Sequence, residues 1–254
     1  MQPKPGLQET LALMKDLRLR CDWDAAQTHE SLRPYLIEEA YEVDDAIRAG
    51  DDRLLREELG DLLLQVLFHS VVAEERGAFD FTDVAEGFLA KMKSRHPHLY
   101  EGGEKQSWEG MKARQRESIV DGLPADLPAL HRAFRLQDRA AGVGFDWPDA
   151  NGPAEKVEEE LAEVRAEVGR GARASGSGVP DPLLEEELGD LLFSVVNLCR
   201  KLGVHPSLAL DKANVKFAFR FQAIERLAKS RGIDITTAGL VVLDELWDEV
   251  KAVG

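Results

Sequence analysis

An all-α protein, built as two tandem copies of one helical bundle with about four helices each, is what this sequence predicts. Three observations point there. Nearly every long segment repeats its apolar residues at i, i+3 and i+4, and strand-like alternation is scarce. An acidic pattern occurs twice: LIEEAYEV at 36–43 with EELGDLL at 57–63, then VEEELAEV at 157–164 with EELGDLL at 186–192. The tryptophans also fall at matched positions, Trp23 with Trp147 and Trp108 with Trp247.

Element by element, Ser31 is placed to cap a helix with Pro34 in its first turn, and Gly50 to end it. Asp52 caps the next, in which Leu55, Leu59, Leu62, Leu63 and Val66 share one stripe. Thr82 starts a third helix, which should end near His96-Pro97-His98 because the residue before proline disfavours the α conformation. A fourth helix is expected over Trp108 to Glu117. Residues 121–129 (DGLPADLPA) break the pattern twice with proline, which sets the repeats at 1–122 and 123–254. In the second repeat a helix runs from about Ala154 to Gly169. The small-residue segment GARASGSGVPDP follows, read as a passive connection with a lid as the alternative. Asp181-Pro182 then pairs an N-cap with proline at the first helical position, and this helix stops at Gly203. Pro206 to Arg231 reads as one long helix, and a last one surrounds Trp247.

Each acidic copy puts Glu-Glu-x-x-Glu on one helix and Glu-x-x-Asp on the next. The first copy supplies Glu38, Glu39, Glu42, Glu58 and Asp61; the second supplies Glu159, Glu160, Glu163, Glu187 and Asp190. Positions i, i+3 and i+4 share a helix face, so each helix pair points its carboxylates into one gap. Carboxylates that close raise one another's pKa unless a cation joins them. Read singly, such an acidic turn is an ordinary solvated face. Two of them, each followed by an acid inside a leucine-rich stretch, read as a duplicated divalent-metal site. An all-oxygen set suits a hard ion such as Mg²⁺ better than zinc. The partner at i+3 is Asp61 or Asp190 rather than histidine, which disfavours a di-iron bundle. No calcium-loop pattern or Walker-type glycine loop is present, so phosphates would be held by metal and by cationic side chains. Gly60 and Gly189 lie inside the acidic helices, where glycine costs about 1 kcal/mol relative to alanine; close helix approach is the expected reason.

Cations stand at helix spacing after the acids. Lys91 and Arg95 repeat as Lys216 and Arg220, and Trp108 and Lys112 repeat as Trp247 and Lys251. Arginine clamps phosphate oxygens with two parallel bonds and lysine adds a point charge, which together suit metal-assisted hydrolysis of a phosphoanhydride. The copies are unequal. Aligning the acids puts Tyr35 opposite Lys156 and Phe68 opposite Asn197, and aligning Lys91 with Lys216 puts Leu89 opposite Asn214. Three polar groups of the second copy are therefore apolar in the first.

The 254 residues suffice for two domains, and 44% apolar content supports buried cores. A net charge of −15 argues against a nucleic-acid polymer or a membrane surface as partner. Cys21 and Cys199 form no metal-type spacing, and no leader or membrane-length apolar run is visible, so a reduced, cytoplasmic protein is expected.

These residues resemble the MazG family of nucleoside triphosphate pyrophosphohydrolases, in its two-domain bacterial form. Both copies satisfy the family's acidic pattern, and CDWD, RHPH, GFDW, KANVKF and the final tryptophan and lysine extend the likeness over almost the whole chain. One departure is Asp22, where these proteins usually carry proline. The resemblance implies an all-α homodimer that requires Mg²⁺, with Mn²⁺ as a substitute. It also implies conversion of ribo- and deoxynucleoside triphosphates to monophosphate and pyrophosphate, mostly by the C-terminal repeat. Carried over by motif, Glu160, Glu163, Glu187 and Asp190 would be metal ligands supported by Glu159, and Lys156, Asn214, Lys216, Arg220, Trp247 and Lys251 would contact the nucleotide. The alternatives are a narrower dUTP, dCTP or phosphoribosyl-ATP pyrophosphohydrolase, or a metal-stabilised scaffold without catalysis.

Overall fold

Side-chain caps from Thr28, Asp51, Asp80 and Asp181 fix where four of the helices begin. The computed structural model describes residues 6–100, 102, 117–170 and 181–253, and among these it forms eleven helices and no strand. They are α1 (Leu7–Arg20), α2 (Asp22–Ala26), α3 (His29–Ala49), α4 (Asp52–Glu75), α5 (Phe81–Ser94), α6 (Pro97–Tyr100), α7 (Ala129–Gly142), α8 (Asn151–Gly169), α9 (Pro182–Lys201), α10 (Pro206–Ser230) and α11 (Gly239–Val253).

Three helices start upstream of the expected residues, among them α5, which Asp80 caps ahead of Thr82. Thr28, not Ser31, caps α3, in a reciprocal box: the Ser31 amide donates to Thr28 Oγ1 at 3.2 Å and the Thr28 amide donates to Ser31 Oγ at 2.9 Å. Asp51, not Asp52, caps α4, accepting from the amides of Arg53 and Leu54. Asp181 caps α9 with Pro182 behind it, as the sequence indicates, and Gly50 ends α3 at φ 65°, a left-handed turn that glycine adopts without penalty. The short helices α1, α2, α6 and α7 are additional to the expected set. Of the helix predicted over Trp108 to Glu117, residues 108–116 lie outside the described residues, as does the Gly/Ser-rich 171–180.

The chain divides into two units, Met1–Lys105 and Gln106–Gly254. The division falls ahead of the proline-broken segment because residues 119–121 are tied to the second unit: Arg139 Nη1 donates to the carbonyls of Ile119 at 2.7 Å and Asp121 at 2.9 Å. In the first unit α1, α3 and α5 pack on α4, and Met14, Leu32, Leu67, Phe68, Val71 and Val72 form the core. In the second, α7 and α8 pack on α9, and α10 packs on α7, α9 and α11 around Ile224, Ala228 and Leu246.

The leucines beside the acids are not core, contrary to the sequence expectation. Leu59 is 49% exposed and Leu192 59%, because the buried residues of each helix come later, from Gln65 to Ala73 in α4 and at Ser194, Val196 and Asn197 in α9. Nor does close approach explain the helical glycines, since a Cβ at Gly60 or Gly189 would meet nothing within 4 Å.

Candidate active site

Two antiparallel-style helix pairs carry the acids, α3 with α4 and α8 with α9. In the first unit, carboxylate oxygens of Glu39, Glu58 and Asp61 all lie within 4.8 Å of one another; in the second, those of Glu160, Glu163 and Glu187 do. Burial, then the charges of Asp61 and Glu42, pushes the Glu39 carboxyl above its ordinary pKa, and burial with Glu42 and Asp61 does the same to Glu58. Glu163 is raised by burial and by Glu160 and Glu187. Crowded like charges of this kind lower their energy by sharing a cation.

Glu160 carries the test of fit. Its side chain is 5% exposed, and Oε1 lies 2.6 Å from Lys156 Nζ, while Oε2 is buried without a hydrogen-bond partner. A buried charged oxygen without a partner is costly. An oxygen-only set that includes such an atom suits a hard divalent ion. Lys156 also holds Glu159 at 2.9 Å, and both acids keep its ammonium well above the usual lysine range.

Asp190 stands apart from the tight trio. It lines a cavity of about 700 Å³ together with Lys156, Glu160 and Asn197, against apolar walls that include Trp147 and Phe193. Asp146 braces one side: it accepts from Arg200 and Lys201, Lys201 also donates to Trp147 O at 2.6 Å, and Arg200 Nε donates to Asn197 Oδ1 at 3.0 Å. Gly152 has no room for a side chain, because a Cβ there would overlap the Trp147 indole.

The structure shows what the differing positions of the first unit do. Trp23 lies edge-on to Tyr35 at 6.2 Å and to Phe68 at 6.5 Å, and Phe68 is 2% exposed. The counterparts by sequence, Trp147, Lys156 and Asn197, line the cavity. Rings pack together in one copy where the other copy keeps open space. Within the first acidic set, Glu38 is exposed and outside the trio, and Glu42 borders it.

The remaining expected nucleotide contacts are not among the cavity-lining residues. Asn214, Lys216 and Lys251 are exposed on α10 and α11. Trp247 packs against the Ile224–Leu246 core, 5.5 Å from the Phe217 ring, with the Arg220 guanidinium 5.9 Å from its centre. The cavity also brings in residues that sequence reasoning passed over: Gln137, Phe193 and Arg200. The GFDW run, with Phe145 and with Trp147 matched to Trp23, gave an advance signal.

Fold and site together define a class: a helical tandem repeat whose paired helices gather carboxylates able to hold a metal ion, one set beside a ligand-sized cavity. Residues 27–100 match the MazG nucleotide pyrophosphohydrolase domain. The chain is 43% identical over 254 residues to the nucleoside triphosphate pyrophosphohydrolase/pyrophosphatase MazG of Thermotoga maritima, covering 96% of this chain and 95% of that protein. It is 42% identical over 250 residues to the nucleoside triphosphate pyrophosphohydrolase of Escherichia coli K12, covering 94% and 93%. The chain belongs to the MazG family.

Proposed function

We propose that this chain hydrolyses nucleoside triphosphates, ribo- and deoxy-, to the monophosphate and pyrophosphate, using Mg²⁺ or in its place Mn²⁺. The observation that carries the reading is the convergence of Glu160, Glu163 and Glu187 beside the cavity that Lys156 and Asp190 also line. The activities for which the Thermotoga and Escherichia relatives are named support it.

Glu160, Glu163, Glu187 and Asp190 would hold the ion. When bound, it would neutralise phosphate charge and lower the pKa of a water molecule. Lys156 neutralises one oxygen of Glu160 and leaves the other for the ion, while presenting an ammonium to the polyphosphate. Glu159, more than half exposed at the edge of the set, is placed to take the proton of the attacking water. Water adds across the α–β phosphoanhydride, one P–O bond breaks, and pyrophosphate departs with the bridging oxygen or leaves it on the monophosphate, according to the phosphorus attacked. Lys216, Arg220, Lys251, Asn214 and Trp247 complete the nucleotide contacts in this reading, and Asn197 borders the base.

The repeats divide the work: residues 123–254 catalyse, and residues 1–122, whose Glu38, Glu39, Glu42, Glu58 and Asp61 retain metal-binding chemistry, are structural or weakly active. The working form is a homodimer in the cytoplasm, with neither a nucleic-acid polymer nor a membrane as partner. Exposed Leu188, Leu192, Val215, Phe217 and Phe219 support dimerisation, because a second copy would take that apolar surface from water. No helix among the described residues is long and apolar enough to cross a membrane.

Incubation of the full chain with each ribo- and deoxynucleoside triphosphate and Mg²⁺, with products separated by ion exchange, tests the activity. Monophosphate plus pyrophosphate is expected from several bases. Diphosphate plus phosphate, or no turnover, contradicts it; turnover of a single base marks a narrower enzyme.

A further inference from the structure

We propose that Gln137 reads the nucleobase: the aromatic lining of the cavity takes the base, and Gln137 Oε1 accepts a hydrogen bond from an N–H on its edge. This rests on the chain being a nucleoside triphosphate pyrophosphohydrolase and adds a specificity-determining residue to it.

The cavity lining has two characters: Lys156, Glu160 and Asp190 supply charge, while Phe145, Trp147 and Phe193 supply aromatic surface. Its volume of about 700 Å³ is in the range of small-molecule pockets, which are mostly apolar with a few placed polar groups. A polyphosphate held by the charged residues leaves a flat heterocycle for the aromatic ones.

Gln137 is one of the polar residues of the lining, tied to the backbone of the aromatic Phe193. It is 7% exposed, and its Nε2 donates to the Phe193 carbonyl at 2.8 Å. A carbonyl only accepts, so the amide has one orientation: nitrogen toward Phe193, oxygen away from it. That oxygen, Oε1, is buried and without a partner. A buried acceptor left unmade costs more than a made bond returns, and such atoms in native proteins call for a reason. A ligand N–H supplies one.

Asn197 provides the complement. Its Oδ1 accepts from Arg200 Nε, and a guanidinium only donates, so the Asn197 amide orientation is also fixed and its NH₂ is turned elsewhere as a donor. In a helix the Phe193 carbonyl also accepts from the Asn197 backbone amide, so the glutamine's anchor lies one turn from the asparagine on α9, and both side chains line the cavity. Every ordinary base carries an N–H beside an acceptor on its pairing edge: the 6-amino group and N1 of adenine, N1–H and O6 of guanine, the 4-amino group and N3 of cytosine, N3–H and O4 of uracil or thymine. One acceptor and one donor therefore admit all of them and select against an edge that lacks the N–H. In the first unit Phe68 stands at the position of Asn197, so that amide has no counterpart there.

Purine riboside triphosphate, which is ATP without its 6-amino group, is the probe. With Mg²⁺ and the full-length wild-type protein, kcat/KM for ATP should exceed that for the probe by roughly ten-fold or more, the usual effect of leaving a buried acceptor unmade. In Gln137→Met the ratio should fall to about one, because the acceptor is gone for both substrates. A merely structural glutamine would lower both rates and leave the ratio unchanged. Equal use of the two substrates by wild type, or a full preference persisting in Gln137→Met, overturns the proposal. Should the variant not fold, as read by circular dichroism, the wild-type comparison still decides. Failure to release pyrophosphate from ATP at all would sink the activity itself, whereas indiscriminate turnover of both substrates sinks only the reading of the base.

Discussion

Lys156 Nζ sits 2.6 Å from Glu160 Oε1, one helical turn along α8, while Oε2 of the same carboxylate is buried and unbonded. One oxygen of this acid is thus committed to the protein and one is left for a cation. Replacing Lys156 by alanine removes both the internal counter-charge and an ammonium available to the polyphosphate. A loss of about 10²-fold in kcat/KM is expected, the scale seen when a preorganised electrostatic contact is deleted. Lys156→Arg should recover part of it. Steady-state pyrophosphate release with ATP and Mg²⁺ measures both.

The two acidic trios should not be equivalent in function. Glu39→Ala is expected to leave most of the turnover, since the first unit fills the corresponding space with Trp23, Tyr35 and Phe68. Comparable losses from Glu39→Ala and Glu160→Ala would contradict the assignment of catalysis to the second unit.

Phe68 makes a different prediction from its counterpart Asn197. At 2% exposure within the Met14–Leu32–Leu67 core, Phe68→Ala should destabilise the first unit by about 3–5 kcal/mol, read as a shift in the urea midpoint. Asn197→Ala should act mainly on KM.

Asp146 links stability to acid. Its bonds to Arg200, and then to Lys201, hold its carboxyl below the usual aspartate value. A depressed folded-state pKa gives stability that is present above the unfolded value near 3.8 and is lost as pH falls through the folded one. Asp146→Asn should cost about 1.5–3 kcal/mol at neutral pH, the range for hydrogen bonds to charged groups, and should flatten the unfolding profile below about pH 4.

Histidine pairs act in a higher window. His131 Nδ1 lies 3.1 Å from His205 Nε2, and burial, then His205 and Arg135, lowers the His131 pKa; burial and His29 lower that of His69. The unfolded chain therefore takes up the proton first. The stability these residues contribute is full above the unfolded value of 6.5 and declines as pH is lowered below it. The urea midpoint should fall between pH 7.5 and 5.5, and His131→Gln should reduce that fall.

What the sequence made legible was charge and punctuation. Acids at i, i+3 and i+4 pointed to two sets of five carboxylates, of which three in each set converge, and Asp181-Pro182 and Gly50 marked helix ends correctly. Helix α7 was missed because it follows a proline-broken stretch that reads as the end of a repeat, although its sequence is amphipathic. Leucines beside the acids looked like core, but periodicity identifies a face without saying what covers it. The cavity was invisible for a related reason: α7, α8, α9 and the turn at 119–120 each contribute only part of its wall.

The central claim is that the second unit's carboxylates hold the ion on which pyrophosphate release depends. Manganese binding followed by electron paramagnetic resonance, alongside pyrophosphate release from ATP, in wild type and Glu160→Ala tests it most directly. The account predicts that the substitution abolishes turnover and removes the manganese bound at the second unit, with the protein still folded. Wild-type rates in a variant that no longer binds that ion would contradict it.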